Sequence, residues 1–351
     1  TGTKSVKFDA VTGIAVADKS PTWVIDGTKN MRLMLYRHTV GWSGGELYLA
    51  TDGTWAKYWI NGTALSYLRE GWNALNITPD AWVANGGIIW ADMITKFRNR
   101  VGYVAQRTGS IDSFVVGVVA LPAVILAFDD GSASCYTKAF NYMRRYNMVG
   151  TAYVVQDLIG IGGYMTSTQL QAMDHSGGWA IANHTKDHAH LPTLTEAQQE
   201  TELTSCRDWL NGLGLTRGSL HVGYPYGEYN ADTMTAMAAT GMLTGRMAST
   251  PQRNPVLPYG DNTLIEARQI TDTTSLATAK GYIDTAIARS EIAFFFLHNI
   301  VDVAPGAGEW LTSDFQALID YIVTKKNQIY PITIDDFYRL SLGPVNVRKV
   351  K

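Results

Sequence analysis

The spacing of apolar and polar residues changes character near residue 121. Upstream, short β-rich runs at 31–36, 46–50, 55–60 and 100–105 are separated by turn pairs (Asp52-Gly53, Asn61-Gly62, Gly86-Gly87), with hardly any 3.6-residue periodicity. This predicts an all-β sandwich of jelly-roll type over 1–121. Downstream, apolar runs at 123–128, 151–155, 179–183, 219–223, 242–246, 292–297 and 329–333 alternate with helix-like segments, which predicts an α/β unit with a parallel sheet or barrel over 122–351. Tyr136, Phe140 and Met143 form an apolar stripe, and Thr166…Gln169, Thr195…Gln198 and Ser313…Gln316 have capping-box spacing. Gly241 stands where a left-handed cap closes a helix begun at Asn230.

A chain of 351 residues is long enough for two domains at about 150 residues each. Seven of the ten Trp precede residue 121 and six of the seven His follow it, so the two halves carry different chemistry. The net charge of −2, with only 17% charged residues, offers no electrostatic footprint for nucleic acid. The longest apolar stretch, 114–128, is interrupted by Pro122 and is shorter than the roughly 20 residues of a membrane-spanning helix. Cys135 and Cys206 cannot build a disulfide framework or a thiolate zinc site; they read as buried apolar residues, with a single bridge as the alternative. The chain opens at Thr1 with no Met, no basic n-region and no apolar h-region, so a signal peptide is absent, already removed, or outside the given sequence, and localisation is not read from it directly.

Four polar clusters directly follow predicted strands of the second half: Phe128-Asp129-Asp130-Gly131, Asn183-His184-Thr185-Lys186-Asp187-His188, Tyr224-Pro225-Tyr226-Gly227 and Leu297-His298. In a parallel barrel the carboxyl ends of the strands share one face, so these clusters converge. Adjacent carboxylates repel unless a cation or proton separates them, which makes Asp129-Asp130 either a metal-site element or a simple turn at Asp130-Gly131. His184 and His188, four residues apart, suit one rim of a metal site or one solvated helix face. With Asp130 they make a two-His, one-carboxylate set that leaves positions open for water and substrate. His298 reads either as an acid on that shared face or as a core histidine.

Together these clusters resemble the ordered motifs of the polysaccharide deacetylase family, the NodB-homology or family 4 carbohydrate esterases, over roughly 122–340, including Ile332-Thr333-Ile334-Asp335-Asp336-Phe337. The resemblance implies a distorted (β/α) barrel that removes acetyl groups from an acetylated polysaccharide. It implies one divalent metal, zinc, on Asp130, His184 and His188, with Asp129 as general base, His298 as general acid and the backbone N–H of Tyr226 as oxyanion donor. Such a substrate places the protein outside the cytoplasm: secreted, on a cell surface or on a virion. Asn183-His184-Thr185 is also a glycosylation sequon against a metal ligand, which argues against a eukaryotic secretory origin.

Two departures stand out. Where the family's third motif carries Arg, this chain has Gly223, so the cation beside Asp129 is expected from Arg246 or Arg268. No fourth motif is evident, which leaves Asp302 as the nearest candidate to tune His298, against its reading as a surface-loop residue. A competing esterase signal, Gly41-Trp42-Ser43-Gly44-Gly45, fits a nucleophile elbow only if a sharp turn and a helix follow. The Trp-rich first half, with Gly71-Trp72-Asn73, resembles β-sandwich modules that precede some bacterial and phage-borne deacetylase domains. The alternative function is therefore a degenerate deacetylase acting as a carbohydrate-binding or structural component, for example of a phage tail or cell surface.

Overall fold

The computed structural model describes residues 122–248, 254–255, 257, 259 and 261–342, and upstream 6–10, 13–19, 23–24, 31–37, 42–63, 71–77, 82–89, 92–94, 96–103 and 107–116. The chain separates into two compact units, Thr1–Val119 with Tyr259–Asp261, and Ala120–Pro258 with Asn262–Lys351.

In the first unit the described strands pair antiparallel. One sheet runs Val6–Ala10, Arg107–Val116, Met31–Arg37, Gly71–Ile77; the other runs Gly13–Lys19, Lys96–Tyr103, Trp42–Ala50, Tyr58–Thr63, Trp82–Asn85. Asn61-Gly62 lies inside the Tyr58–Thr63 strand rather than at a turn, because cross-strand pairing to Trp42–Ala50 and Trp82–Asn85 overrides its turn propensity. Gly41 falls outside the described residues, and Trp42 to Gly45 begin a nine-residue strand. With no sharp turn and no helix there, the geometry of a nucleophile elbow is absent and the serine-esterase reading is set aside.

The second unit is a distorted (β/α) barrel. Its parallel strands are ordered Thr244–Arg246, Gly218–Gly223, Ala180–Asn183, Thr151–Val154, Ala123–Phe128, Ile292–Leu297, Arg268–Gln269. Tyr330–Pro331 pairs only with Ala123 and Val124, so Ile292–Leu297 lies directly along the whole of Ala123–Phe128. The strand ladder is open between Thr244–Arg246 and Arg268–Gln269, bridged by the single pair Arg246 and Ile265. Sequence periodicity misses Arg268–Gln269, which is too short and polar to stand out.

Helices cover the outside of this sheet. Ser167–Gly177 and Glu196–Gly212 start with full capping boxes at Thr166/Gln169 and Thr195/Gln198. Ser313 does not cap: Thr312–Thr324 begins earlier, with Leu311 at the N-cap and no side-chain hydrogen bond. Tyr136 and Phe140 fall in a π-helical turn, Cys135–Phe140, that continues into Asn141–Met143. Gly241, at φ +71°, follows the end of Ala231–Ala239 in the left-handed conformation.

Both faces of the central strands are buried, so Ala123–Phe128 and Ile292–Leu297 are continuous apolar runs. Val124, Leu126, Phe128, Ala293, Phe295 and Leu297 pack outward with helix residues such as Leu170, Phe315 and Ile319. Side chains alternate along a strand, so Ile125, Ala127, Phe294 and Phe296 face inward. Continuing the same parity past the strand ends brings Asp129 and His298 inward.

The last described helix, Ile334–Ser341, is tied down at Asp335. Arg339 Nε donates to Asp335 at 2.8 Å, and His221 Nε2, on a buried strand, lies 3.5 Å from the same carboxylate. Burial pushes the Asp335 carboxyl up, but the His221 and Arg339 interactions outweigh it and hold it below the ordinary value of 3.8. A depressed carboxylate stabilises the fold above its unfolded pKa and loses that contribution as pH falls through the folded value. Asp335→Ala is therefore expected to lower stability by about 1–3 kcal/mol at neutral pH. In urea denaturation across a pH series, the gap to wild type should narrow below about pH 4.

Candidate functional site

Loops at the carboxyl ends of four strands bring Asp129, Asp130, His184, His188, Tyr226 and His298 to one face of the barrel. The backbone there is strained: of eight non-glycine residues with positive φ among those described, four are Asp130 (+65°), Thr185 (+69°), His188 (+67°) and Tyr226 (+58°). Such conformations persist only where the surroundings over-determine them, and they concentrate at functional sites.

The left-handed turn at Asp130 sends the two adjacent acids to different partners. Asp130 faces the histidines, with one ligand atom from each of Asp130, His184 and His188 lying within 4.8 Å of the others. Nε2 of His184 and Nε2 of His188 are each 3.5 Å from Asp130 Oδ1. That oxygen is buried and accepts no hydrogen bond among the described residues. His184 Nδ1 lies 2.6 Å from the Gly223 carbonyl oxygen, which can only accept, so Nδ1 carries a proton and Nε2 is the ring nitrogen turned to Asp130. Burial and the neighbouring His184 push His188 down to about 4, against the pull of Asp130 and Asp129, so His188 is neutral at pH 7. Burial works against ionisation of Asp130, but His184, then His298 and His188, more than reverse it and bring the carboxyl to about 2.

A carboxylate oxygen and imidazole lone pairs aimed at one another repel unless a cation lies between them. Ligand atoms around a tetrahedral zinc with bonds of about 2.0–2.1 Å stand about 3.4 Å apart, so the donor set and its spacing fit a divalent ion.

Asp129 turns inward instead. It is 2% exposed, and Arg246, 1% exposed, donates from Nη2 to its Oδ2 at 2.6 Å. The guanidinium carbon lies 4.3 Å from the Phe296 ring centroid and 5.1 Å from that of Tyr153. Gly223 and Arg246 are direct register partners on neighbouring strands. A Cβ at Gly223 would come within 2.8 Å of Arg246 Nη2, so the bare glycine leaves the space that the guanidinium fills. Arg268, the other candidate cation, bonds Asn254 Oδ1 at 3.2 Å and lies over the Tyr282 ring, away from Asp129. Asp302 pairs with Lys138 at 2.8 Å and with Thr312, on an exposed loop. No acid takes its place at His298, whose buried Nδ1 has no hydrogen-bond partner among the described residues. Both cysteines are free and buried.

Sequence reasoning missed three features. Tyr226, 55% exposed, stacks on His190 at 3.9 Å and 4°, and His190 Nδ1 is 2.8 Å from Glu228. Glu202 is 7% exposed, and its Oε2 accepts the backbone N–H groups of Lys186 (3.0 Å) and Asp187 (3.1 Å). Asn183, noted only for its sequon, donates to Leu203 O at 2.8 Å and accepts from Thr185 N at 2.9 Å. No local pattern marks these contacts, although a charged residue at a core-facing position of the 196–212 helix was a usable signal.

Removing Arg246 leaves Asp129 buried and unpaired, so Arg246→Ala is expected to destabilise the metal-free protein by about 3–5 kcal/mol in chemical denaturation. Adding Gly223→Arg restores a guanidinium from the partner position across the ladder, and the double variant should recover part of that loss.

A family model described as polysaccharide deacetylase matches residues 119–245. Bacillus subtilis YxkH, provisionally named a polysaccharide deacetylase, is 30% identical over 122 residues, covering 35% of this chain and 43% of its own. The poly-beta-1,6-N-acetyl-D-glucosamine N-deacetylase of Staphylococcus epidermidis is 26% identical over 153 residues, 40% of this chain and 52% of its own. The chain thus spans about half the length of these curated relatives. Among solved structures, the family 4 esterase domain of a xylanase from the Trinervitermes trinervoides hindgut metagenome aligns with a TM-score of 0.44 at 15% identity, over 65% of this chain and 94% of that one. The family match spans three of the ordered motifs on this barrel face, so residues 119–245 are similar to a polysaccharide deacetylase domain.

Proposed function

We propose that this protein is a metal-dependent hydrolase that removes acetyl groups from an acetylated polysaccharide and releases acetate. The observation that carries the reading is the division of labour between adjacent acids, with Asp130 facing two imidazoles and Asp129 paired with Arg246. Asp130, His184 and His188 would hold the ion, zinc by the preference of two imidazoles and one carboxylate. When bound, it supplies Lewis-acid polarisation of the acetyl carbonyl.

The remaining work falls to the chain's own groups. Asp129 takes a proton from the attacking water at Oδ1, which is buried and unpaired among the described residues, while Arg246 fixes Oδ2. The backbone N–H of Tyr226 donates to the oxyanion as it develops. His298 gives a proton to the departing sugar oxygen or nitrogen. Acetylated polysaccharides lie mostly outside the cytoplasm, which favours a secreted, surface or virion-associated setting. The first unit is then a β-sandwich that binds carbohydrate or serves structure. Gly223 in place of the motif Arg favours a degenerate domain, whereas the Arg246–Asp129 contact supports the catalytic reading by supplying the cation from the neighbouring strand.

The test is acetate release from a panel of acetylated xylans, capsular polysaccharides and chitooligosaccharides. Chelator-stripped protein should be inactive, added zinc should restore release, and zinc-restored Asp129→Asn should fall by about 10²–10⁴-fold. Release that survives chelation, or none from any substrate despite stoichiometric zinc, would overturn the proposal.

A further inference from the structure

The turn between the two histidines is held from outside the site. N–H groups of Lys186 and Asp187 converge on a single oxygen, Glu202 Oε2, and the next N–H, of His188, goes to Thr185 Oγ1 at 3.1 Å. Successive backbone N–H groups turned to one side form an anion-accepting concavity. Here the anion comes from the chain itself, from the helix Glu196–Gly212.

The turn needs such a restraint. Thr185 is β-branched and His188 bulky, yet both adopt left-handed φ, which an unsupported chain would leave. The following helix residue, Leu203, holds the other end of the turn by accepting from Asn183 Nδ2, while Asn183 Oδ1 accepts from Thr185 N. On the opposite flank, Gln156 N and Asp157 N donate to the carbonyls of Thr185 and Lys186, and Lys186 Nζ reaches Asp157 at 2.7 Å. Glu202 is the one buried carboxylate in this set, and its two charge-assisted bonds are the ones that close the turn's interior.

We propose that Glu202 is a positioning residue for the His184–His188 ligand pair: its carboxylate fills the backbone turn between them and fixes where the His188 ring points. The proposal rests on the metal-centre reading for its consequence, but not for its geometry. It makes Glu202 matter to metal affinity without touching the ion.

The test uses the full chain in two measurements. Amide hydrogen exchange at Lys186 and Asp187, read on metal-free protein, should show protection in wild type and in Glu202→Gln, whose side-chain oxygen accepts the same two N–H groups, and loss of protection in Glu202→Ala. Zinc affinity by competition calorimetry should fall about 10–100-fold in Glu202→Ala and stay near wild type in Glu202→Gln. If Glu202→Ala does not fold, Glu202→Asp, which keeps the charge but falls one methylene short, should show a partial loss in both readouts. Unchanged protection and unchanged zinc affinity in the Ala or Asp variant would overturn the assignment. Failure of wild type itself to bind zinc would overturn the metal-centre reading instead, while the exchange data would still decide whether Glu202 orders the turn.

Discussion

Two adjacent carboxylates at the end of an apolar strand cannot both remain charged unless each finds its own compensation, and much of the architecture around this site answers that constraint. Strand parity directs Asp129 into the barrel, where Arg246 meets it at 2.6 Å. The left-handed backbone of Asp130 reverses that direction and turns the second carboxylate to His184 and His188. One strand end thereby serves two electrostatic partners with no intervening residue. The arrangement gives each acid its own partner, the Arg246 guanidinium for one and the two imidazoles for the other, a separation that like charges on one loop would not reach unaided.

The same economy governs the cation. The guanidinium that meets Asp129 belongs to Arg246, which faces Gly223 across the ladder. Here the long side chain comes from the outer strand, and the inner position must be glycine because a Cβ there would occupy the guanidinium's space. The rings of Tyr153 and Phe296 then supply the apolar walls that keep the pair dry and the interaction strong. The two positions are energetically one unit, although they are 23 residues apart in the chain.

Much of this is legible in the sequence. The alternation of buried runs with capped helices pointed to a parallel sheet, and polar clusters immediately after those runs pointed to a shared face. The capping pairs at Thr166 and Thr195 are local and were readable. Two other local signals misled: Asn61-Gly62 has turn chemistry but sits inside a strand, and Ser313 has cap spacing but lies within the helix. In each case pairing or packing with distant residues outweighed a small local preference.

The sequence by itself determined which residue types stand at the strand ends and in what order, because strand burial, side-chain alternation and motif spacing are properties of short segments. It narrowed the cation to Arg246 or Arg268 but could not choose, since neither residue's neighbours across the barrel are written in its own segment. Only the tertiary structure decided that Arg246 lies across from Gly223, that Asp302 belongs to Lys138, and that Glu202 closes the turn between the histidines. The physical reason is common to all three: register between strands, and the seating of a helix against a loop, arise from packing summed over the whole barrel. A single residue's neighbours across that packing leave no mark in its local sequence.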